Sequence, residues 1–186
     1  MLFKLLEIDN LSEIQEEVLK KIPPGSLNKN DLFYVNNSIN YFLEIPALKN
    51  LLSKLELIDH IYQDGIALNI TFPGVTLPIH YDSDKFVYSF NIPIQNCENT
   101  RVNLYKTDST PVATQRKHPV HNTYVISRAY DPEKCTLIES HEVLSPCILN
   151  TRVPHNVVSY SNKIRIMLLV RLANSINSRF DIENHA

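Results

Sequence analysis

A chain of 186 residues with 44% hydrophobic side chains is the size of one ordinary domain with a real core. Its formal net charge of −2 and pI near 6.4 offer no electrostatic basis for a nucleic-acid partner. No apolar run is long enough to span a bilayer, and the opening MLFKLLEIDN turns acidic before a signal-peptide core can form. With three cysteines, Cys97, Cys135 and Cys147, in no close-spaced motif, a reducing, cytoplasmic compartment is expected.

The first elements read as helical. In LSEIQEEVLKKIPPG, Ser12 followed by Gln15 has the form of a capping box, and Ile14, Val18 and Ile22 recur at helical spacing. Lys20 and Lys21 suit a last turn, and Pro23-Pro24-Gly25 stops it. The stretch LNKNDLFYVNNSINYF is ambiguous. A second helix starts at Pro46, with Leu48, Leu51, Leu52 and Leu55 in one stripe.

From about residue 57 the period becomes two. Ile66, Leu68, Ile70 and Phe72 share one face of GIALNITFPG, and Phe86, Tyr88, Phe90, Ile92 and Ile94 one face of KFVYSFNIPIQ. Shorter candidates follow at RVNLYK, NTYVISRAY, CTLIES, PCILN, HNVVSY and KIRIMLLVRL. Short strands separated by turn signals at this spacing predict a mainly β sandwich or barrel. The expectation is one domain over 1–186. An antiparallel jelly-roll core would occupy 57–172, with helices from 1–56 packed on the outside of one sheet and a tail at 173–186.

Within PGVTLPIHYDSDK, His80 and Asp82 stand two apart after a Pro-Gly turn, which places both on one face of a strand. An imidazole and a carboxylate so placed are a surface pair or part of a metal site. The late segment TRVPHNVVSYSNKIRIMLLVRL supplies His155 and, ten residues on, Arg165 inside an otherwise apolar strand. A buried guanidinium needs a carboxylate or phosphate partner. That partner is either an internal Asp or Glu or a ligand. Two histidines and one carboxylate form the facial triad of non-haem Fe(II) oxygenases, which leaves positions for a bidentate 2-oxo acid and dioxygen.

The stretch from Leu68 to Leu172, with PGVTLPIHYD, FVYSFNIPI and PHNVVSYSNKIRI, resembles the 2-oxoglutarate/Fe(II)-dependent dioxygenases. It is most similar to the aspartyl/asparaginyl β-hydroxylase and prolyl-hydroxylase-like branches. The resemblance implies a double-stranded β-helix, a cupin-like jelly-roll barrel, with His80, Asp82 and His155 as iron ligands and Arg165 salt-bridging 2-oxoglutarate. Aspartyl β-hydroxylases lack a carboxylate ligand where this chain has Asp82, and prolyl 4-hydroxylases use lysine where it has Arg165. Many relatives carry a serine two residues past the arginine. Here that residue is Met167, so the second partner of the cofactor carboxylate is open.

Tyr88, Asn91, Asn103 and Tyr105 lie on strands expected to flank the site, and Ser159 on the His155 strand. Each is a core or surface residue or a hydrogen-bond partner of 2-oxoglutarate. Arg171 ends the Arg165 strand and is a candidate for an acidic substrate. His118 and His121 in KHPVH read as a loop. The expected activity is hydroxylation of a C–H bond of a peptide side chain or small molecule, with 2-oxoglutarate decarboxylated to succinate. The alternatives are a non-catalytic barrel of the same ancestry and a cupin-like metal hydrolase or isomerase, which needs no buried arginine. Oligomeric state is open.

Overall fold

Period-two patterning becomes two antiparallel six-stranded sheets. In the computed structural model, which describes residues 2–22, 27, 32–33, 38–82, 86–117 and 124–173, the first sheet holds six strands in the order β1 (Phe3–Leu5), β10 (Cys147–Asn150), β5 (Tyr88–Gln95), β12 (Arg165–Leu172), β3 (Ile61–Thr71) and β2 (Leu32–Phe33). The second runs β7 (Val112–Lys117), β8 (Tyr124–Ala129), β4 (His80–Tyr81), β11 (His155–Ser159), β6 (Thr100–Thr107) and β9 (Cys135–Glu142). The chain crosses from sheet to sheet at β3–β4–β5–β6 and again at β9–β10–β11–β12. The central quartets are therefore β10-β5-β12-β3 and β4-β11-β6-β9. This is a double-stranded β-helix, the jelly roll, with β7 and β8 as a hairpin inserted between β6 and β9.

Each strand has an inner and an outer face. Outward from the first sheet point Ile66, Leu68 and Ile70 of β3, Tyr88, Phe90 and Ile92 of β5, and Ile166, Leu168 and Val170 of β12, all buried. Helices α1 (Leu11–Lys21), α2 (Ser38–Leu43) and α3 (Pro46–Lys54) cover that face with Ile14, Val18, Phe42, Leu48 and Leu52. Each fully buried Leu or Ile there contributes about 1.5–3 kcal/mol of transfer free energy. The barrel interior is a separate cluster of Val102, Leu104, Cys147, Leu149 and Met167, with Phe3 and Cys97.

Two local expectations changed. Helix α1 begins at Leu11 with Asn10 at the cap position and no side-chain cap bond, so Ser12 closes no capping box. Gln15 instead donates Nε2–H to the Pro93 carbonyl at 2.9 Å, tying the helix to β5. The side chain serves a tertiary contact as donor, where a capping box would use it as acceptor of the cap residue's N–H. Strand β1, inside the opening segment, pairs with β10. Residues 23–26, including the expected Pro-Pro-Gly stop, lie outside the described residues.

Candidate metal centre

The turn that precedes the cluster follows from its sequence. Gly74 has φ +71°, Pro73 precedes it, and Val75 N–H bonds to the Phe72 carbonyl at 3.2 Å, the geometry of a type II turn. The chain then runs beside β11, with Leu77 N–H on the Val157 carbonyl and a bridge between Thr76 and Val158. This lays His80 directly opposite His155 as register partners. Asp82, two residues on, keeps the same face and is anchored through its N–H to the Thr151 carbonyl at 3.1 Å. Thr151, fully buried, is held in turn by its N–H and hydroxyl on the Val87 carbonyl.

One ligand atom from each of His80, Asp82 and His155 lies within 4.8 Å of the others. With bonds of about 2.0–2.2 Å to a first-row ion, three mutually cis ligand atoms are about 3 Å apart. The widest pair must therefore close by up to about 1.8 Å when an ion is held. The ring of His80 lies 4.6 Å from that of His155 at 47°, and its Nε2 is 3.4 Å from Asp82 Oδ1. Both imidazoles are oriented by backbone carbonyls, His80 Nδ1 on Pro78 at 2.7 Å and His155 Nδ1 on Val153 at 2.8 Å. A carbonyl only accepts, so Nδ1 carries a proton in each ring and Nε2 is the ring atom turned toward the cluster.

Burial, with His80 beside it, pushes His155 down to about 4, against the opposing pull of Asp82, so the ring is neutral near pH 7. For Asp82, burial acts to raise the pKa. The His80 hydrogen bond and the nearby His155, His80 and Arg171 outweigh it and hold the carboxyl well below its usual range. Two imidazoles and one anionic carboxylate form a donor set that suits a divalent first-row metal.

Arg165 begins β12, the strand that returns into the barrel after β11 ends. Ile166 and Ile164 join the helix-covered cluster, and Arg165 takes the opposite, inner face. It is 2% exposed. Nη1 donates to Asn69 Oδ1 at 2.8 Å and to Thr71 Oγ1 at 3.4 Å, while Nε is buried without a partner. The titratable groups acting on it are thiols, Cys97 and Cys147. Burial pushes both up, Cys147 to about 12, so both are neutral and neither offsets the guanidinium charge. Among the described residues no carboxylate pairs with Arg165.

The remaining candidates divide by face. Asn91 is buried on the inner face, in register with Leu169 and Cys147, and accepts from Ser89 Oγ at 2.6 Å. Ser159 shares the His155 face four residues along β11, beside Thr100. Tyr88 alternates outward into the cluster under the helices, so it does not line the interior. Tyr105 bonds Asn156 Oδ1 at 3.3 Å together with Asn103, and Asn156, next to His155, points out of the barrel. Tyr105 and Asn103 therefore belong to the outer face. Arg171, on the Arg165 face, lies over the Phe86 ring at 5.1 Å, beside Asp82. His118 and His121 lie outside the described residues. Asn69, Thr71 and Thr151 carried no sequence signal as single polar residues. Only the register of β3 against β12 gives the first two a role.

No protein-family model matches the sequence, and no curated protein matches it. Among solved structures the chain is similar to AviO1 from Streptomyces viridochromogenes Tue57 (12% identity, 93% of this chain and 90% of that one, TM-score 0.49). It is also similar to a Pseudomonas putida prolyl-4-hydroxylase (11%, 92% and 87%, 0.42) and to the non-haem monooxygenase ThoJ (14%, 92% and 74%, 0.41). Likenesses this distant assign no activity to the chain.

Proposed function

We propose that this chain is a non-haem Fe(II) and 2-oxoglutarate-dependent dioxygenase that hydroxylates a C–H bond of a peptide side chain or small molecule. The observation that carries the reading is a pairing inside one barrel. A two-imidazole, one-carboxylate donor set faces the interior, and on the inner face of β12 stands a buried guanidinium without a carboxylate partner among the described residues. A barrel built for a metal alone has no use for that cation, which is costly to bury unpaired. A dicarboxylic 2-oxo acid explains both: one end chelates a metal, the other meets Arg165.

In this reading Nε2 of His80, Nε2 of His155 and the Asp82 carboxylate hold iron. The Pro78 and Val153 carbonyls keep the two rings turned toward it, and the Thr151 carbonyl keeps Asp82 in register. The iron and the 2-oxo acid supply dioxygen activation, with succinate as the co-product of C–H hydroxylation. Arg165 takes the far carboxylate of the 2-oxo acid through its planar fork. Asn91 and Ser159 line the interior along the way. Arg171, over Phe86, adds positive charge beside Asp82 and contributes, after the two histidines, to holding that carboxyl ionised.

The test is anaerobic titration of the protein with Fe(II) and then 2-oxoglutarate, following visible absorbance. A weak charge-transfer band that requires both additions is expected. Its absence, with iron shown to be bound, overturns the cofactor assignment.

A further inference from the structure

Resting on the assignment of Arg165 to the far carboxylate of 2-oxoglutarate, we infer that β3 supplies the rest of that seat: the Thr71 hydroxyl binds the carboxylate beside Arg165, and the Asn69 amide oxygen holds the carboxylate's place until the acid arrives. Thr71 is the register partner of Arg165, and Asn69 that of the next inward residue, Met167. Three bonds close a triangle: Arg165 Nη1 to Asn69 Oδ1 at 2.8 Å, Arg165 Nη1 to Thr71 Oγ1 at 3.4 Å, and Thr71 Oγ1 to Asn69 Oδ1 at 3.1 Å.

One amide oxygen thus gathers a guanidinium N–H and a hydroxyl O–H, the two donors a carboxylate oxygen would gather. Arg165 and Thr71 are 2% and 1% exposed, so water does not substitute for that acceptor. Asn69 is an incomplete substitute. Its oxygen is neutral and single, and Arg165 Nε remains unpartnered. A carboxylate entering at this point keeps both donors, sets a negative acceptor against the guanidinium and makes the Thr71 bond charge-assisted. Its second oxygen offers an acceptor to the rest of the guanidinium. Strand β12 has no polar group of its own for the task, because Met167 is apolar and packed into the interior cluster. Asn69 is only half-buried.

The experiment measures affinity of the Fe(II)-loaded protein, held anaerobic, for 2-oxoglutarate and for pyruvate, a 2-oxo acid without the far carboxylate. Thr71→Val is expected to weaken 2-oxoglutarate between about ten- and a hundredfold, the worth of a hydrogen bond to a charged group, while Thr71→Ser retains it. Asn69→Asp places a carboxylate on Arg165 Nη1 and is expected to weaken 2-oxoglutarate at least as much. Asn69→Ala, which removes the occupant, is expected to bind it no more weakly than the parent. Pyruvate affinity stays unchanged throughout. If the parent prefers 2-oxoglutarate to pyruvate but Thr71→Val and Asn69→Asp keep the full preference, this inference is overturned and the Arg165 assignment stands. If the parent has no such preference, the Arg165 assignment itself fails. Should Asn69→Asp not fold, the Thr71 pair decides alone.

Discussion

His80 and His155 are register partners across the short antiparallel pair of β4 and β11, so two histidines 75 positions apart share one face of one sheet. Neither imidazole depends on a long loop for its position. Each is fixed by a strand and by a carbonyl two residues upstream. Asp82 then joins them by simple strand alternation.

Removing one member of this set is expected to abolish tight metal binding. Asp82→Ala or His155→Ala should weaken Fe(II) or a Mn(II) surrogate by more than about a hundredfold, since even outer partners of metal ligands cost about 10–100-fold. The check is metal titration with thermal unfolding as a second readout. Metal should raise the Tm of the parent and leave the Tm of either variant unchanged.

Arg165 should separate cofactor binding from stability. Arg165→Ala and Arg165→Lys are expected to weaken 2-oxoglutarate while leaving Fe(II) affinity nearly intact, lysine keeping charge without the fork. Arg165→Met should also stabilise the ligand-free protein by about 1–3 kcal/mol, because it removes a buried cation with no counter-charge among the described residues. Calorimetry and urea unfolding test the two halves. A destabilised Arg165→Met would mark the guanidinium as structural.

The ligand-free protein should lose stability on acidification because of His155. Its pKa is lowered to about 4 in the fold against a usual value of 6.5. Below about pH 6.5 the unfolded chain therefore takes up the proton first, and stability drains away until the folded pKa is reached near 4. Across that window the loss approaches about 3 kcal/mol at 1.36 kcal/mol per pKa unit. Asp82 stays ionised in both states over most of this range and adds little slope. Urea midpoints at pH 7 and pH 5 should differ in the parent and converge in His155→Phe.

Gly65 offers a test of backbone packing. A Cβ there would stand 2.4 Å from the Tyr62 carbonyl oxygen and 3.0 Å from that of Arg171, both backbone atoms. Gly65→Ala is expected to cost about 1–3 kcal/mol, because the Tyr62 carbonyl within β3 must move and the approach to Arg171 of β12 tighten. A change in urea midpoint within error of zero would show that the β3 backbone at Tyr62 yields freely.

What the sequence determined by itself is what short-range periodicity and composition encode. Alternation in GIALNITFPG, KFVYSFNIPIQ and KIRIMLLVRL was enough to identify β3, β5 and β12 and to say that Arg165 opposes Ile164 and Ile166. The Pro-Gly turn and the His-x-Asp spacing placed His80 and Asp82 on one face. The rest depends on which strand lies beside which. Whether His155 meets His80 is a matter of register between segments separated by 75 positions, and local pattern does not specify register. The same holds for Thr71 and Asn69, ordinary polar residues until β12 is laid against β3. It holds for Tyr88 and Tyr105 too, since a strand's period tells which residues share a face but not which face is the interior. Gln15 shows the reverse effect: a residue that reads as a local cap donates instead to the Pro93 carbonyl of β5, a group that only the fold brings within reach.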